Sequence, residues 1–234
     1  MTLQKCKFFG ENVSRINGVH FPFLIYYNQK GMITMPILEV TNVKKTYTAR
    51  IGAARVEALK TVTFTAEKGE YIAIMGESGS GKTTLLNILA ALDTPTGGKV
   101  RLDGADLSQL KEKETAKFRR DNLGFVFQDF NLLDTFTVRD NILLPLVLMG
   151  MNYGEMEKKL LPAAEKLGIS ALLDKYPYEI SGGQKQRTAA ARAMITEPKL
   201  LLADEPTGAL DSKASDELLA VFSKLNSEGQ TILM

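Results

Sequence analysis

The chain has 234 residues, of which 44% are hydrophobic and 24% are charged, so it is long enough to bury a core and too apolar to be disordered. Its single cysteine, Cys6, excludes intrachain disulfides and thiolate metal sites and favours a reducing cytoplasm. The 29 basic and 27 acidic residues nearly cancel, which gives no support for a nucleic-acid-binding surface, and no apolar run approaches the roughly 18 residues of a membrane span.

Residues 1–34 carry no identifiable chemistry. They mix aromatic residues with scattered charges, and their apolar run begins only at Val19, too late for a signal peptide. We expect a leader of unknown role, unstructured or produced by a misplaced start, with a docking segment as the alternative.

From residue 36 onward, short apolar runs alternate with helical patterns. Strands are predicted over 37–40, 62–66, 70–75, 99–102, 123–127 and 200–203, with a further strand beginning at 231. Helices are predicted over 83–92, 111–120, 155–167, 183–196 and 216–226. This order predicts an α/β fold with a parallel sheet, in which the helical section between residues 137 and 175 is an insertion.

A glycine-rich segment follows the strand predicted over 70–75. Residues 76–83 fit the phosphate-loop pattern, in which two glycines frame four residues and a lysine and a threonine follow. Backbone amides of such a loop point at phosphate oxygens, and the helix behind it presents the positive end of its dipole. Lys82 is expected to reach the β- and γ-phosphates, and the Thr83 hydroxyl to ligate Mg²⁺. The residues expected to hold the nucleotide phosphates are Gly76, Ser78, Gly79, Ser80, Gly81, Lys82, Thr83 and Thr84.

Two adjacent carboxylates end the apolar strand predicted over 200–203. Ligands in open α/β sheets bind at the carboxyl ends of the strands, so we expect Asp204 and Glu205 beside the phosphate loop. Asp204 is expected to hold Mg²⁺, directly or through water, and Glu205 to accept the proton of an attacking water. A solvated loop is the alternative interpretation of paired acids, but the four preceding apolar residues favour a catalytic role.

A second anion-binding motif opens the helix predicted over 183–196. Ser181, Gly182, Gly183 and Gln184 place a serine and two glycines where a helix begins, which offers another cluster of backbone amides. The structural alternative is an N-cap serine followed by flexible glycines. Lying between the phosphate loop and the carboxylates, the motif closely resembles the signature of ATP-binding-cassette (ABC) ATPases, and the resemblance covers residues 35–234.

The resemblance implies a P-loop NTPase domain with a RecA-like core, an antiparallel β subdomain and a helical subdomain inserted at about residues 129–190. It implies a homodimer with two ATP sites, each ATP lying between the phosphate loop of one subunit and the signature of the other. Tyr47 would stack on adenine, with Val56 packed nearby. Gln128 would contact Mg²⁺, sense the γ-phosphate and join Lys82 and Glu205 in catalysis, and Asp211 would contact the opposite subunit.

The resemblance also implies an integral-membrane permease whose coupling helix docks near Gln128, and hence a position at the cytoplasmic face of the plasma membrane. Segments 124–135, 141–146 and 175–181 look like the branch that powers bacitracin-type antimicrobial-peptide transporters in antibiotic resistance. The alternatives are a macrolide-export, lipoprotein-release or cell-division-type ATPase, or a regulatory module outside transport. DNA-repair and translation ATPases fit less well, because only 105 residues separate Gly76 from Ser181 and the chain carries one cassette.

One departure from the family pattern concerns the switch histidine. ABC ATPases carry it shortly after the strand that begins here at Thr231, whereas the only histidine of this sequence is His20. We therefore expect a C-terminally truncated chain that binds MgATP and hydrolyses it slowly.

Overall fold

A computed structural model describes residues 15–16, 19–20, 24–26, 36–48 and 55–234 of the chain. The fold divides into two compact units. One comprises Met1–Thr115 with Leu233–Met234, and the other comprises Ala116–Ile232.

The first unit is built mainly of strands. In chain order its elements are β1 (Arg15–Ile16), β2 (Val19–His20), β3 (Leu24–Tyr26), β4 (Leu38–Thr48), β5 (Arg55–Ala66), β6 (Tyr71–Met75), α1 (Lys82–Leu89), β7 (Gly97–Leu102) and β8 (Ala105–Asp106). The four strands β4, β5, β7 and β8 form an antiparallel sheet in the order β5-β4-β7-β8. Alternate residues of β4 and β5 are buried, as expected for a sheet with one face on a core.

Strand β6 carries the segment that leads into the phosphate loop. It pairs antiparallel with β3, and its Ile74 amide donates to the Met234 carbonyl at 2.6 Å. Helix α1 follows the loop and buries its leucine- and isoleucine-rich face, Leu85, Leu86, Ile88 and Leu89. Strand, glycine loop and helix therefore succeed one another as the sequence predicts.

The second unit combines helices with two parallel strands. Its elements are the end of α2 (Glu112–Asn122), β9 (Leu123–Val126), α3 (Val138–Leu148), α4 (Tyr153–Lys166), α5 (Gly182–Met194), β10 (Leu200–Ala203), α6 (Ser212–Ser227) and the start of β11 (Ile232–Leu233). Strands β9 and β10 run parallel, with Leu200 opposite Leu123. All four residues of β10 are buried, which explains its uniformly apolar sequence.

Side-chain caps define where the helices of the second unit begin. Thr137 and Asp140 form a capping box at α3, and Asn152 caps α4 through the Glu155 amide. Within the described residues, none of the helices combines the length and the hydropathy that crossing a bilayer requires.

Most predicted elements are found with shifted ends. The strand predicted over 62–66 extends back to Arg55, and the helix predicted over 183–196 ends at Met194. The prediction for residues 1–34 lies outside the described residues, apart from the short strands β1, β2 and β3.

Candidate active site

The phosphate loop connects β6 to α1 in the first unit. Gly81, the residue before the helix, has a left-handed backbone with φ of 96°. A Cβ added there would lie 2.5 Å from the Ala58 carbonyl oxygen of β5, so both backbone conformation and space require glycine. The close approach fixes the loop against the sheet, which pre-organises its backbone amides.

The loop lysine and serine provide the groups that a polyphosphate would need. Lys82 donates from Nζ to the carbonyl oxygens of Gly76 at 2.9 Å and Glu77 at 3.0 Å, so its ammonium already lies against the loop. The buried Ser80 hydroxyl has no hydrogen-bond partner within the described part of the chain. Thr83 is exposed on the first turn of α1. An anion at this loop would offer acceptors to the Lys82 and Ser80 donors together.

The residues predicted to hold the base, Tyr47 and Val56, are partners across two strands. They face each other in the antiparallel pairing of β4 with β5. Their side chains are exposed, by 42% for Tyr47 and 60% for Val56. Opposed residues on one face of an antiparallel pair lie within contact distance of each other. The pair therefore presents a small apolar surface to solvent, suited to the flat face of a purine.

A charged cluster orients the Tyr47 ring. The phenol donates to Asp93 Oδ2 at 2.7 Å, and the Lys45 ammonium lies 4.8 Å from the ring centroid. Lys45 also donates to Asp93 Oδ1 at 2.5 Å and to the Thr94 carbonyl at 2.7 Å. A hydrogen bond between Thr84 and the phenol ties the ring to α1 as well. Asp93 could not be found from the sequence, because it lies 46 positions after Tyr47 and no local pattern links the two residues.

The same cluster displaces two pKa values. Burial raises the pKa of Tyr47, and the hydrogen bond to Asp93 raises it further. Burial alone would raise the pKa of Asp93, but hydrogen bonds from Lys45, Tyr47 and the Thr94 amide together lower it below its ordinary value. Asp93 is therefore ionised and Tyr47 protonated at neutral pH, the states that their hydrogen bond requires.

In the second unit, the two carboxylates follow β10 as predicted. The Asp204 amide donates to the Val126 carbonyl of β9 at 3.0 Å, which extends the parallel pairing by one residue. Asp204 is half-buried, whereas Glu205 is exposed and has a left-handed backbone with φ of 43°. A non-glycine residue in this region is conformationally strained, and such strain is frequent at active sites. The turn is closed by the Gly208 amide, which donates to the Glu205 carbonyl at 2.9 Å.

The signature motif forms the first turn of α5. Ser181 is its N-cap, with its hydroxyl accepting from the Gln184 amide at 3.3 Å and the Gln184 side chain accepting from the Ser181 amide at 2.9 Å. A Cβ added at Gly183 would lie 2.9 Å from the Ala214 Cβ of α6. The Gly182 site is less crowded, with Leu210 and Phe130 at 3.7 and 3.8 Å. Ser181 is therefore the N-cap of α5, as the structural alternative predicts.

Gln128 and Asp211 lie on the loops after β9 and before α6. Gln128 is exposed, and a Cβ added at Gly208 would lie 3.1 Å from its Nε2. Asp211 caps α6 by accepting from the Ala214 amide at 2.8 Å. In the first unit, Thr84 links Tyr47, one of the two residues predicted to hold the base, to the helix that follows the phosphate loop. In the second unit, Gln128 lies against the turn that follows Glu205.

Comparison with known proteins gives consistent relatives. A family model described as ABC transporter matches residues 59–208. The bacitracin export ATP-binding protein BceA of Halalkalibacterium halodurans is 50% identical over 194 residues, 83% of this chain and 76% of that protein. The ABC transporter ATP-binding protein YxdL of Bacillus subtilis is 50% identical over 192 residues, 82% and 74% of the two chains. The macrolide export ATP-binding/permease protein MacB of Chlorobaculum tepidum is 44% identical over 198 residues, 85% of this chain and 30% of that protein.

Solved structures confirm the predicted fold class. The dimeric structure of MJ0796, a bacterial ABC transporter cassette, has a TM-score of 0.76 and 41% identity, covering 84% of this chain and 86% of that chain. A dimeric post-hydrolysis state of the same ATP-binding cassette, bound to ADP and Pi, has a TM-score of 0.75 and 40% identity over the same shares. Because half of the aligned residues are identical to those of ATP-binding relatives, over most of both chains, this chain belongs to the ABC transporter family as one of its ATP-binding members.

Proposed function

We propose that the chain is the ATP-hydrolysing subunit of a transporter that exports antimicrobial peptides of the bacitracin type. The observation that carries the proposal is that one chain contains a pre-organised phosphate loop, a strained glutamate after a buried strand and a second cluster of backbone amides at a capped helix. The 50% identity to BceA supports the bacitracin-type substrate. We propose that residues 35–234 form the ATPase domain, with residues 129–190 as its helical subdomain and residues 1–34 as a leader.

Binding of ATP begins with the base and the phosphates. Tyr47 stacks on adenine through the exposed face of its ring, and Val56 extends the apolar surface. At the loop, Lys82 exchanges the Gly76 and Glu77 carbonyls for phosphate oxygens. The backbone amides of residues 76–84, including those of Ser78, Gly79 and Ser80, donate to the remaining phosphate oxygens.

Magnesium fits the chemistry of the proposed donors. Thr83 supplies a hydroxyl, Gln128 an amide oxygen and Asp204 a carboxylate, and Mg²⁺ prefers such oxygen ligands. When bound, Mg²⁺ neutralises charge on the phosphates. Lys82, placed against the loop, adds a fixed positive charge in the same role.

Hydrolysis is an in-line attack of water on the γ-phosphorus, releasing ADP and phosphate. The Glu205 carboxylate accepts the proton of the attacking water. Its left-handed backbone aims the side chain away from the direction that an extended strand residue would take. Gln128 senses the γ-phosphate and orients the water.

Two copies of the chain form a homodimer around two ATP molecules. The partner's Ser181 and the partner's Gly183 offer amides to the γ-phosphate, aided by the positive end of the α5 dipole. Asp211 contacts the opposite copy. The dimeric MJ0796 cassette supports this assembly. An integral-membrane permease holds the dimer at the cytoplasmic face of the plasma membrane.

The Glu205→Gln variant tests the catalytic assignment. Gln keeps the shape but cannot accept the proton, so the rate of phosphate release should fall on the order of 10²–10⁴-fold. ATP binding should persist, and the dimer should accumulate with ATP on gel filtration. Glu165→Gln, on the exposed face of α4, is the matched control and should hydrolyse normally. Normal turnover by Glu205→Gln would remove Glu205 from its role.

Macrolide export is the second candidate, supported by the 44% identity to MacB. Cells expressing the chain with its permease should tolerate more bacitracin, and Glu205→Gln should abolish that tolerance. Protection against a macrolide without protection against bacitracin would favour the second candidate.

A further inference from the structure

The buried amide of Gln186 joins two loops of the second unit. Gln186 lies on α5 and is fully buried. Its Nε2 donates to the carbonyls of Phe127, at 3.0 Å, and Pro206, at 2.8 Å. These acceptors immediately flank the proposed γ-phosphate sensor Gln128 and the proposed base Glu205. Both Nε2 hydrogens therefore bond to backbone carbonyls of the two loops proposed to take part in catalysis.

This amide is a poor stabiliser of the fold. Gln186 Oε1 is buried and has no hydrogen-bond partner among the residues that the structure describes. An unpaired buried acceptor offsets much of what the two donated bonds contribute. Residues that break the rule of paired buried polar groups are expected at functional sites.

Arg192, six residues further along α5, contacts the other side of the Gln128 loop. It donates from Nη1 to the Asn131 carbonyl at 2.6 Å and from Nη2 to the Phe130 carbonyl at 3.0 Å. Phe130 and Asn131 both have left-handed backbones, with φ of 61° and 49°. Phe130 is strained in this region and needs support from its surroundings, and the planar guanidinium supplies it by binding the Phe130 and Asn131 carbonyls at once.

Helix α5 thus holds the backbone before and after Gln128. Phe127 precedes Gln128 and is bound by Gln186, whereas Phe130 and Asn131 follow it and are bound by Arg192. The same helix begins with the signature cap Ser181. We propose that Gln186 and Arg192 are positioning residues that set Gln128 for γ-phosphate recognition and make it move together with the signature turn. This proposal rests on the proposed function of Gln128.

The arrangement links the two ATP sites of the proposed dimer. Within one chain, Gln128 serves the chain's own nucleotide, whereas the signature turn serves the nucleotide of the partner. A displacement of α5 that withdraws the signature from one site therefore shifts the sensor of the other. Gln186 and Arg192 are the side chains through which that displacement is transmitted.

The experiment measures γ-phosphate discrimination, the ratio of the Kd for ADP to the Kd for a non-hydrolysable ATP analogue, both with Mg²⁺. Gln186→Met and Arg192→Met are compared with the wild type on the purified full chain. Each variant should bind ADP within about twofold of the wild type, while the ratio falls about tenfold. Thr188→Val is the matched control, because Thr188 is equally buried on α5 but its hydroxyl donates to the Gln184 carbonyl of its own helix, not to the Gln128 loop. Its ratio should equal that of the wild type.

A Gln128→Ala background separates positioning from general damage. If Gln186 acts through Gln128, adding Gln186→Met to Gln128→Ala should not lower the ratio further. A wild-type ratio in the single variants, an equal loss of both nucleotides, or an additive effect in the double variant would each overturn the proposal. If the Met variants fail to fold, Arg192→Lys keeps the positive charge but cannot donate to both carbonyls from a planar group, and the same Kd ratios test the proposal. A wild-type chain that binds no nucleotide would overturn the proposed function itself, and this proposal with it.

Discussion

The ion pair behind Tyr47 should couple strongly in a double-mutant cycle. The cycle compares Lys45→Met, Asp93→Asn and the double variant with the wild type. Met keeps the apolar stem of the lysine, and Asn keeps an acceptor for the Tyr47 phenol. Each single change therefore removes the charge–charge contact with little loss of packing.

The expected coupling follows from how far the two side chains are withdrawn from water. Their relative exposures are 11% for Lys45 and 27% for Asp93, and their N–O distance is 2.5 Å. Exposed pairs contribute about 0.2–1 kcal/mol, and breaking a fully buried pair costs about 3–5 kcal/mol. This pair lies between those limits, so we expect about 1–2 kcal/mol of coupling. Asp93→Asn should be the more destabilising single change, because it leaves the more buried ammonium without its carboxylate.

Urea unfolding followed by far-UV circular dichroism measures the four free energies of unfolding. The sequence contains no tryptophan, so circular dichroism is the more direct probe. Asp174→Asn is a matched control, since the Asp174 side chain is 89% exposed and its contact with Arg139 is 3.5 Å long. Strictly additive single effects, with no coupling between Lys45 and Asp93, would refute the argument from burial.

Three further predictions concern pH, a buried amide and a glycine. Folding lowers the pKa of Asp93, so the stability that its carboxylate contributes is present above the ordinary value of 3.8 and disappears as the pH falls through the folded pKa. The stability difference between wild type and Asp93→Asn should therefore be constant from pH 7 to 5 and shrink below about 4. A difference that grows on acidification would contradict this prediction. The fully buried Asn141 side chain bonds the Leu133 amide and three carbonyls of residues 133–137. Asn141→Leu removes these bonds and should lower the free energy of unfolding in urea by about 2–4 kcal/mol. A change within experimental error would show that these backbone groups have other partners. Gly208→Ala places a Cβ 3.1 Å from Gln128 Nε2 and 3.2 Å from the Glu205 carbonyl oxygen, so it should slow phosphate release about tenfold. Wild-type turnover would show that Gln128 tolerates the displacement.

Local pattern was sufficient to predict most elements of the fold. The run of apolar residues at 200–203 matches β10 residue for residue, because a strand buried on both sides tolerates nothing else. The ends were less predictable where pairing decides them. Strand β5 begins at Arg55, well before the predicted residue 62, because it pairs with the whole of β4.

The site shows the same division between local and distant information. The phosphate loop could be found from spacing alone, since glycines, lysine and threonine are contiguous. The supports of that chemistry could not. Asp93 reaches Tyr47 from 46 residues away, and Gln186 reaches Phe127 from 59 residues away. Tertiary contacts of this kind have no periodicity, so only the folded chain brings them together.

At Glu205, the backbone conformation that stability would favour and the side chain that catalysis requires belong to different residue types. Glycine would adopt the φ of 43° without the steric penalty that a Cβ brings. A library of this protein screened for heat resistance alone should therefore enrich glycine at position 205. The selected variants would unfold at higher temperature and hydrolyse ATP far more slowly.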